Sequence, residues 1–235
     1  MLTGMPITFV GDVHGWRTRL DRVIDASIGE LVFMGDLIDR GPDAPAVLDR
    51  VRSLCEGRRA RCLLGNHEYT LMRALGRPGT GFEPDLRLFD AWKRSFGGQA
   101  VMQAYGVKSA EDLTHALGDH LAWMVSLPWI LRGREGTKQW IAVHAGLSEE
   151  PWEPQVSRLE QGWAGDDGHA SHLFNKAWAQ CVPEDLPADC CVVSGHTPLR
   201  QALVLSQRIL CDTSGGLPDR PLSAVVWPEG KIITS

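Results

Sequence analysis

Aspartate, histidine and asparagine recur in this chain at points where apolar, strand-like runs give way to glycine-containing turns. The five turns read GDVHG at 11–15, GDLIDRG at 35–41, GNHE at 65–68, HAG at 144–146 and GHT at 195–197. Carboxylate, amide and imidazole groups are ligands for divalent metals, and strand ends bring such groups to one edge of a sheet. The pattern therefore predicts a metal site assembled from several strand ends.

The candidate ligands form a mixed set of oxygen and nitrogen donors. They are Asp12, His14, Asp36, Asn66, His144 and His196. This mixture suits Mn, Fe or Zn better than Ca or Cu(I). A carboxylate such as Asp36 has two oxygens and could bridge two cations, which together can activate a water for attack on phosphorus. We therefore expect two divalent metal ions, with Mn²⁺ favoured and Fe or Zn as alternatives.

Three further residues of these turns suit phosphoryl transfer. Arg40 lies four residues after Asp36 and offers a planar fork of donors to phosphate oxygens. His67 follows Asn66 and could protonate a departing alkoxide. Asp39 could hold and polarise His67, raising its pKa so that it acts as an acid near neutral pH.

The elements that must position these residues alternate in type over the first quarter of the chain. Apolar strand-like runs alternate with segments of helical periodicity, which favours βαβ units and a parallel sheet. The predicted elements are strand Ile7–Val10, helix Trp16–Ala26, strand Leu31–Met34, helix Ala44–Cys55 and strand Ala60–Leu64.

The rest of the chain predicts a helical insertion and a second sheet. Residues 68–127 are mostly helical in pattern and should form a cap beside the site, with the last helix running from Ser109 to about Val125. Residues 148–172 are rich in Gly, Pro and acids and predict a long surface loop. Later strand-like runs predict a mixed or antiparallel second sheet: Trp140–Val143, Cys191–Ser194, Arg208–Cys211 and Ala224–Trp227.

Length and composition restrict the class of protein. A chain of 235 residues with 43% hydrophobic residues can bury one sizeable core. The net charge of −5 gives no basic surface for nucleic acid or an anionic membrane. Six cysteines without zinc-type spacing predict free thiols in a reducing compartment, so we expect a soluble, cytoplasmic protein without membrane partners. Nothing in the sequence indicates an oligomeric state.

Together the five turns resemble the signatures of the phosphoprotein phosphatase family of metallophosphoesterases, which are GDxHG, GDxxDRG, GNHE, HAG and GH in that order. The resemblance implies one calcineurin-like domain over residues 1–235 with an α/β fold, a four-layer α/β/β/α sandwich. It implies that the first metal is held by Asp12, His14 and Asp36, and the second by Asp36, Asn66, His144 and His196. It also implies that Arg40 and Asn66 contact phosphate and that His67, supported by Asp39, is the general acid.

One position departs from the family pattern. The family usually offers the phosphate a second arginine between the HAG and GH motifs. Here the counterpart is expected near Phe174, which makes Lys176 the second phosphate contact, with Arg158 a less favoured candidate. In the same region His169 and His172 have metal-like spacing, but their polar surroundings favour loop residues over a third metal site.

Two residues separate the candidate substrates within the family. Symmetrical dinucleoside tetraphosphatases resemble GDLVARG and GNHD, whereas this chain has Asp39 and Glu68 at the differing positions. That pair favours a phosphomonoesterase acting on phosphoserine or phosphothreonine of a phosphoprotein or phosphopeptide, with phosphotyrosine as a further option. The alternative is a symmetrical dinucleoside tetraphosphatase, and a non-catalytic metal-binding scaffold is the least favoured hypothesis.

Overall fold

The computed structural model describes residues 6–76, 81–165 and 170–235. Ten strands lie within these residues. They are β1 (Ile7–Val10), β2 (Glu30–Phe33), β3 (Ala60–Cys62), β4 (Ile130–Glu135), β5 (Lys138–Val143), β6 (Cys190–Ser194), β7 (Leu203–Val204), β8 (Arg208–Leu210), β9 (Ser223–Trp227) and β10 (Lys231–Thr234). The nine α-helices of the same residues are α1 (Arg17–Ala26), α2 (Ala44–Glu56), α3 (Asn66–Leu75), α4 (Leu86–Ala91), α5 (Gln99–Ala104), α6 (Ala110–Leu117), α7 (Asp119–Val125), α8 (Trp152–Leu159) and α9 (Ser171–Phe174).

The first sheet has the strand order β10-β9-β1-β2-β3. β1, β2 and β3 are parallel, as the βαβ pattern predicts, and β9 and β10 add antiparallel pairings at the β1 edge. The prediction that Ala224–Trp227 belongs to the second sheet is therefore wrong. Ala224 pairs with Val10 and Trp227 with Ile7, so this strand flanks β1, which leads into the turn that carries Asp12.

The second sheet has the order β4-β5-β6-β8-β7. β5, β6 and β8 are parallel, and β4 and β7 close the two edges in antiparallel fashion. The parallel strands end next to the HAG and GHT turns. This arrangement confirms the predicted mixed sheet.

The two sheets pack face to face. Alternate side chains of both sheets form one buried cluster, which includes Phe9 and Val32 of the first sheet and Trp140 and Val193 of the second. Phe9 and Trp140 meet edge to face, with ring centroids 5.2 Å apart. The opposite faces pack against helices in a second cluster. Two mixed sheets with helices outside them confirm the predicted α/β sandwich.

The predicted helical cap is confirmed as helical, with one difference. The helix expected from Ser109 to Val125 is broken at Gly118, whose φ of 48° and ψ of −121° end α6 and start α7. Only glycine adopts that backbone conformation without strain, so one residue divides the helix. After α4 the chain forms a π-helical turn, Trp92–Phe96.

Residues 148–172 are not the continuous loop that their composition predicts. α8 forms in this segment because Val156 and Leu159 are buried on one face. His169 lies outside the described residues. No helix in the described parts of the chain has the length and apolar character needed to cross a bilayer.

Candidate dinuclear metal and phosphate site

The turns after the strands adopt a strained backbone. His14, Asp36, Asp39, Arg40 and His196 all have φ between 49° and 71°, in the left-handed region that non-glycine residues seldom occupy. Strain of this kind persists where surrounding contacts impose it, and it is common at functional sites. Six non-glycine residues in the described chain have positive φ, and five of them belong to the candidate site.

Glu68 imposes the geometry of the second turn. Its carboxylate accepts backbone N–H groups from Asp36 at 2.9 Å, Leu37 at 2.8 Å, Ile38 at 3.1 Å and Gly65 at 3.1 Å. The side chain is fully buried. Glu68 therefore organises the strand-end turns, a role that its position in the GNHE motif does not reveal.

Two groups of potential ligands meet at Asp36. One contains His14, Asp36 and His67, and the other contains Asp36, His144 and His196, with ligand atoms within 4.8 Å of one another in each. Asp36 Oδ2 lies 3.8 Å from His14 Nε2, and Asp36 Oδ1 lies 3.5 Å from His144 Nε2. The two oxygens of Asp36 thus face different groups, which is the arrangement of a bridging carboxylate.

Asn66 and Asp12 complete the predicted ligand set around these groups. Asn66 Oδ1 lies 2.8 Å from His144 Nε2 and 2.9 Å from His196 Nδ1. Asp12 is in neither group of the described residues; its carboxylate accepts the backbone N–H of His196 at 3.0 and 3.1 Å. Five of the six predicted ligands therefore have side chains in mutual contact, and Asp12 lies against the backbone of the GHT turn.

Backbone carbonyls orient the three histidines. His14 Nδ1 lies 3.0 Å from the Ile38 carbonyl oxygen, and His144 Nδ1 lies 2.6 Å from that of Met34. In the same way His196 Nε2 lies 3.1 Å from the Phe174 carbonyl oxygen. A carbonyl can only accept, so each ring carries its proton there and presents the other nitrogen as a lone pair to the site. The donor set therefore fits divalent metals.

Burial shapes the electrostatics of this set. It raises the pKa of Asp36 and, together with Asp212 and Asp36, that of Asp12. Burial lowers the pKa of His144 to about 4 and, with His144, that of His196 to about 3. Desolvation disfavours the charged form of both kinds of group, so it keeps the imidazoles neutral and resists ionisation of the carboxylates, and bound cations would favour the ionised carboxylates.

The two residues predicted to transfer a proton, His67 and Asp39, lie beside the first group. His67 Nδ1 is 2.6 Å from Asp39 Oδ2, and both residues are buried. Arg40 donates through Nη2 to His67 Nε2 at 3.0 Å and through Nη1 to His14 Nε2 at 3.0 Å. Burial lowers the pKa of His67, with further lowering from His14 and Arg40, contrary to the rise expected from Asp39, because burial disfavours the charged imidazolium.

Lys176 lies at the edge of the site. It is exposed in the short 3₁₀ turn Lys176–Trp178 and is near enough to His196 for its charge to lower the pKa of that histidine. Arg158 instead lies 3.6 Å from Glu150 on the surface. His172 is buried, with Nδ1 3.1 Å from the Gly146 carbonyl oxygen, and supports the HAG turn.

Two further contacts in the site have no direct counterpart in the sequence patterns. Trp92 donates its indole N–H to Asp39 Oδ2 at 2.9 Å, from a segment that reads as an ordinary helix. Residues 212–216 wrap around the first group, where the Gly215 carbonyl accepts from Arg40 Nη1 at 2.6 Å and Ser214 Oγ donates to the Asp12 carbonyl at 2.8 Å. Both contacts join residues far apart in the chain.

A family model for calcineurin-like phosphoesterases matches residues 5–220. The chain therefore belongs to the calcineurin-like phosphoesterase family. Members of this family are hydrolases that depend on two metal ions. This places the two ligand groups in a metallophosphoesterase.

Several curated relatives carry tetraphosphatase names. The symmetrical bis(5'-nucleosyl)-tetraphosphatase of Ralstonia nicotianae is 39% identical over 87 residues, which cover 34% of this chain and 31% of that protein. The asymmetrical bis(5'-nucleosyl)-tetraphosphatase of Oceanobacillus iheyensis is 23% identical over 255 residues, covering 98% and 92%. The match with the first relative thus spans about a third of its length, whereas the second is similar throughout.

Solved structures share the fold. A proposed diadenosine tetraphosphatase superimposes with a TM-score of 0.59 at 23% identity, covering 100% of this chain and 94% of the other. A protein serine/threonine phosphatase from Saccharomyces cerevisiae, described as similar to human phosphatase PP5, gives 0.60 at 13% identity, covering 100% and 80%. At these identities the superpositions establish the architecture alone.

Proposed function

We propose that the protein hydrolyses bis(5'-nucleosyl) tetraphosphates at a site in which Asp12, His14, Asp36, Asn66, His144 and His196 hold two divalent metal ions. The observation that carries the hydrolytic role is the shared carboxylate of Asp36, which faces both ligand groups. The substrate class is supported by the names of curated relatives, one of them similar over almost the whole chain.

Glu68 does not argue against a dinucleotide. Its carboxylate is buried and engaged with four backbone N–H groups, so it has no contact to offer a substrate. The difference between GNHE and GNHD therefore concerns the hydrogen bonds that stabilise the turn, and not contact with the substrate. The sequence-based preference for phosphomonoesters loses one of its two supports.

Exposed apolar side chains next to the site also favour a nucleoside. Phe174 is 36% exposed and its carbonyl contacts His196, while Leu217 is 45% exposed and follows Gly216. A Cβ on Gly216 would lie 2.9 Å from the His14 ring, which places this turn against the first ligand group. Apolar surface beside a phosphate site suits a nucleobase.

The metals, when bound, would supply an activated water and neutralise phosphate charge. Arg40 is the exposed guanidinium of the site and would bind phosphate oxygens through its planar fork. Negative charge from that phosphate favours protonation of His67, whose Nε2 is 3.0 Å from Arg40. Water then bonds to phosphorus, the bond to the leaving oxygen breaks, His67 Nε2 gives that oxygen a proton, and the proton lost by water restores His67.

A protein phosphatase activity is the second candidate, and the His67–Asp39 pair favours it. The leaving group of a phosphoserine or phosphothreonine is an alkoxide, which depends strongly on a proton donor, whereas a nucleotide is a better leaving group and depends on one less. The 2.6 Å contact between His67 Nδ1 and Asp39 Oδ2 is suited to that task. Lys176 would then be the second phosphate contact.

A substrate panel with Mn²⁺ tests both candidates. Diadenosine tetraphosphate, a phosphoserine peptide, a phosphothreonine peptide and p-nitrophenyl phosphate are compared by kcat/KM. We expect the dinucleotide to be preferred by at least about tenfold, and chromatography of its nucleotide products distinguishes symmetrical from asymmetrical cleavage. Preference for a phosphopeptide would replace the first candidate with the second. Turnover of none of the four would overturn both.

A further inference from the structure

Trp92 reaches the proposed proton donor from the helical cap. The residue is fully buried, and its Nε1–H donates to Asp39 Oδ2 at 2.9 Å. His67 Nδ1 lies 2.6 Å from that same oxygen. Asp39 Oδ1 is buried and has no hydrogen-bond partner in the described parts of the chain. The rotation of this carboxylate is therefore fixed through Oδ2, by Trp92 on one side and His67 on the other.

The rest of the cap turn, defined here as residues 92–98, contacts the same machinery. The Phe96 ring packs edge-on to that of His67, with centroids 5.0 Å apart. The Gly97 carbonyl accepts the backbone N–H of Arg40 at 3.2 Å. π-helical turns are uncommon in proteins and are often found at functional sites. Here the turn brings an indole, a phenyl ring and a carbonyl to the proton-transfer pair and to Arg40.

Gly98 makes room for this arrangement. A Cβ at this position would collide with the six-membered ring of Trp92. The glycine thus lets the chain close over the indole and keep its N–H directed at Asp39. Since Trp92 also lies beside Phe89, with ring centroids 5.3 Å apart, the indole is held by packing on both sides.

We propose that Trp92 is a positioning residue for proton transfer: its indole N–H holds the Asp39 carboxylate so that His67 Nε2 faces the leaving-group oxygen. The inference rests on the proposed function, in which His67 donates that proton. Trp92 itself gains or loses no proton. Without its N–H, the carboxylate could rotate and exchange Oδ1 for Oδ2, and the imidazole would follow.

The test compares two aryl esters of similar shape. Phenyl phosphate has a poor leaving group that needs a proton, whereas p-nitrophenyl phosphate has a good one that does not. For Trp92→Phe, which removes the N–H and keeps an aromatic ring, we expect kcat on phenyl phosphate to fall about tenfold and kcat on p-nitrophenyl phosphate by less than about twofold. Equal losses on both esters would show a merely structural role and overturn the inference.

Trp163→Phe is the matched control. Its indole N–H also donates to an oxygen, the Val125 carbonyl at 3.0 Å, so the variant breaks a comparable bond outside the proton-transfer pair. We expect it to leave the ratio of the two rates unchanged. Wild-type enzyme that turns over neither an aryl ester nor diadenosine tetraphosphate would overturn the proposed function instead, which separates the two failures.

If the enzyme hydrolyses only dinucleotides and neither aryl ester, ¹H NMR spectroscopy tests the inference without a substrate. The Nδ1 proton of His67, in its short bond to Asp39, should resonate far downfield in the ¹H NMR spectrum and be absent in His67→Asn. We expect Trp92→Phe to shift or broaden it, and Trp163→Phe to leave it in place. An unchanged resonance in Trp92→Phe overturns the inference. If that variant does not fold, Asp39→Asn should shift one indole N–H resonance, and no shift would overturn it.

Discussion

His67 is the residue on which the proposed chemistry depends most directly. Its ring is held between Asp39 Oδ2 at 2.6 Å and Arg40 Nη2 at 3.0 Å, so one nitrogen is fixed as a donor and the other faces the guanidinium proposed to bind phosphate. The residue next to it, Asn66, contacts two histidines of the second ligand group. Metal binding and proton transfer can therefore be separated by substitution at position 67.

His67→Asn is expected to keep the metals and slow substrates with poor leaving groups. The loss on phenyl phosphate should reach about 10²-fold or more, and the loss on p-nitrophenyl phosphate should be smaller, since a good leaving group needs less proton donation. Steady-state kinetics and metal analysis of the same preparations provide the measurement. Loss of bound metal in the variant would instead assign His67 to the first ligand group.

Glu68→Asp tests whether this residue acts on the turn or on the substrate. Shortening the side chain weakens hydrogen bonds to four backbone N–H groups, so we expect a loss of about 1–3 kcal/mol in the free energy of unfolding. The ratio of activity on diadenosine tetraphosphate to that on a phosphopeptide should not change. Glu56→Asp, at an exposed ion pair with Arg52, is the control and should leave the free energy of unfolding nearly unchanged. A changed ratio would contradict the assignment.

At the scale of elements, the site depends on how closely the ends of neighbouring strands approach. Gly35 lies in the turn after β2 with a φ of 91°, and a Cβ there would lie 2.6 Å from Cα and N of Gly65 in the turn after β3. The two turns that carry Asp36 and Asn66 can meet only because neither has a side chain at the point of contact. The ligand spacing is thus a property of strand packing as well as of residue type.

Gly35→Ala should therefore impair both stability and metal binding. We expect a loss well above the ~1 kcal/mol of backbone strain alone, because the strand ends must separate. Gly136→Ala in the β4–β5 hairpin is the control: φ is 59°, and nothing lies within 4 Å of its Cβ position. Denaturant unfolding and Mn²⁺ titration of both variants provide the comparison. Similar losses in the two would show that strain, and not the close approach, is decisive.

For the whole molecule, metal binding is expected to be linked to folding and to pH. Metals that bind the folded chain alone stabilise it, by about 2.7 kcal/mol at a hundredfold excess over Kd. Burial raises the pKa of Asp36 to about 7, so protons compete with metal as the pH falls below neutrality. With folded pKa values of about 4 and 3, His144 and His196 remain neutral at pH 5.5 and do not compete.

The gain in thermal stability on adding Mn²⁺ should therefore be large at pH 7.5 and small at pH 5.5. Unfolding is followed by circular dichroism with metal and with a chelator at each pH, so that the metal-free protein corrects for other titrating groups. An equal gain at the two values would contradict the role of Asp36 as a ligand.

The sequence by itself determined the local features of this protein. Asp36, Asn66 and His144 could be predicted as metal ligands because each lies in a glycine-containing turn after an apolar run, a pattern contained within a few residues. The alternation of strands and helices likewise predicted the parallel part of the first sheet. Each of these features depends on neighbours in the chain.

Only the tertiary structure decided the features that join distant segments. β9 could have paired with either sheet, since its apolar run fits both, and its place beside β1 follows from packing between segments more than 200 residues apart in the chain. The roles of Glu68 and Trp92 depend on backbone and carboxylate groups that folding brings near them. Periodicity reports which face of an element is buried but not which partner it meets, and for this reason these contacts lay beyond the sequence.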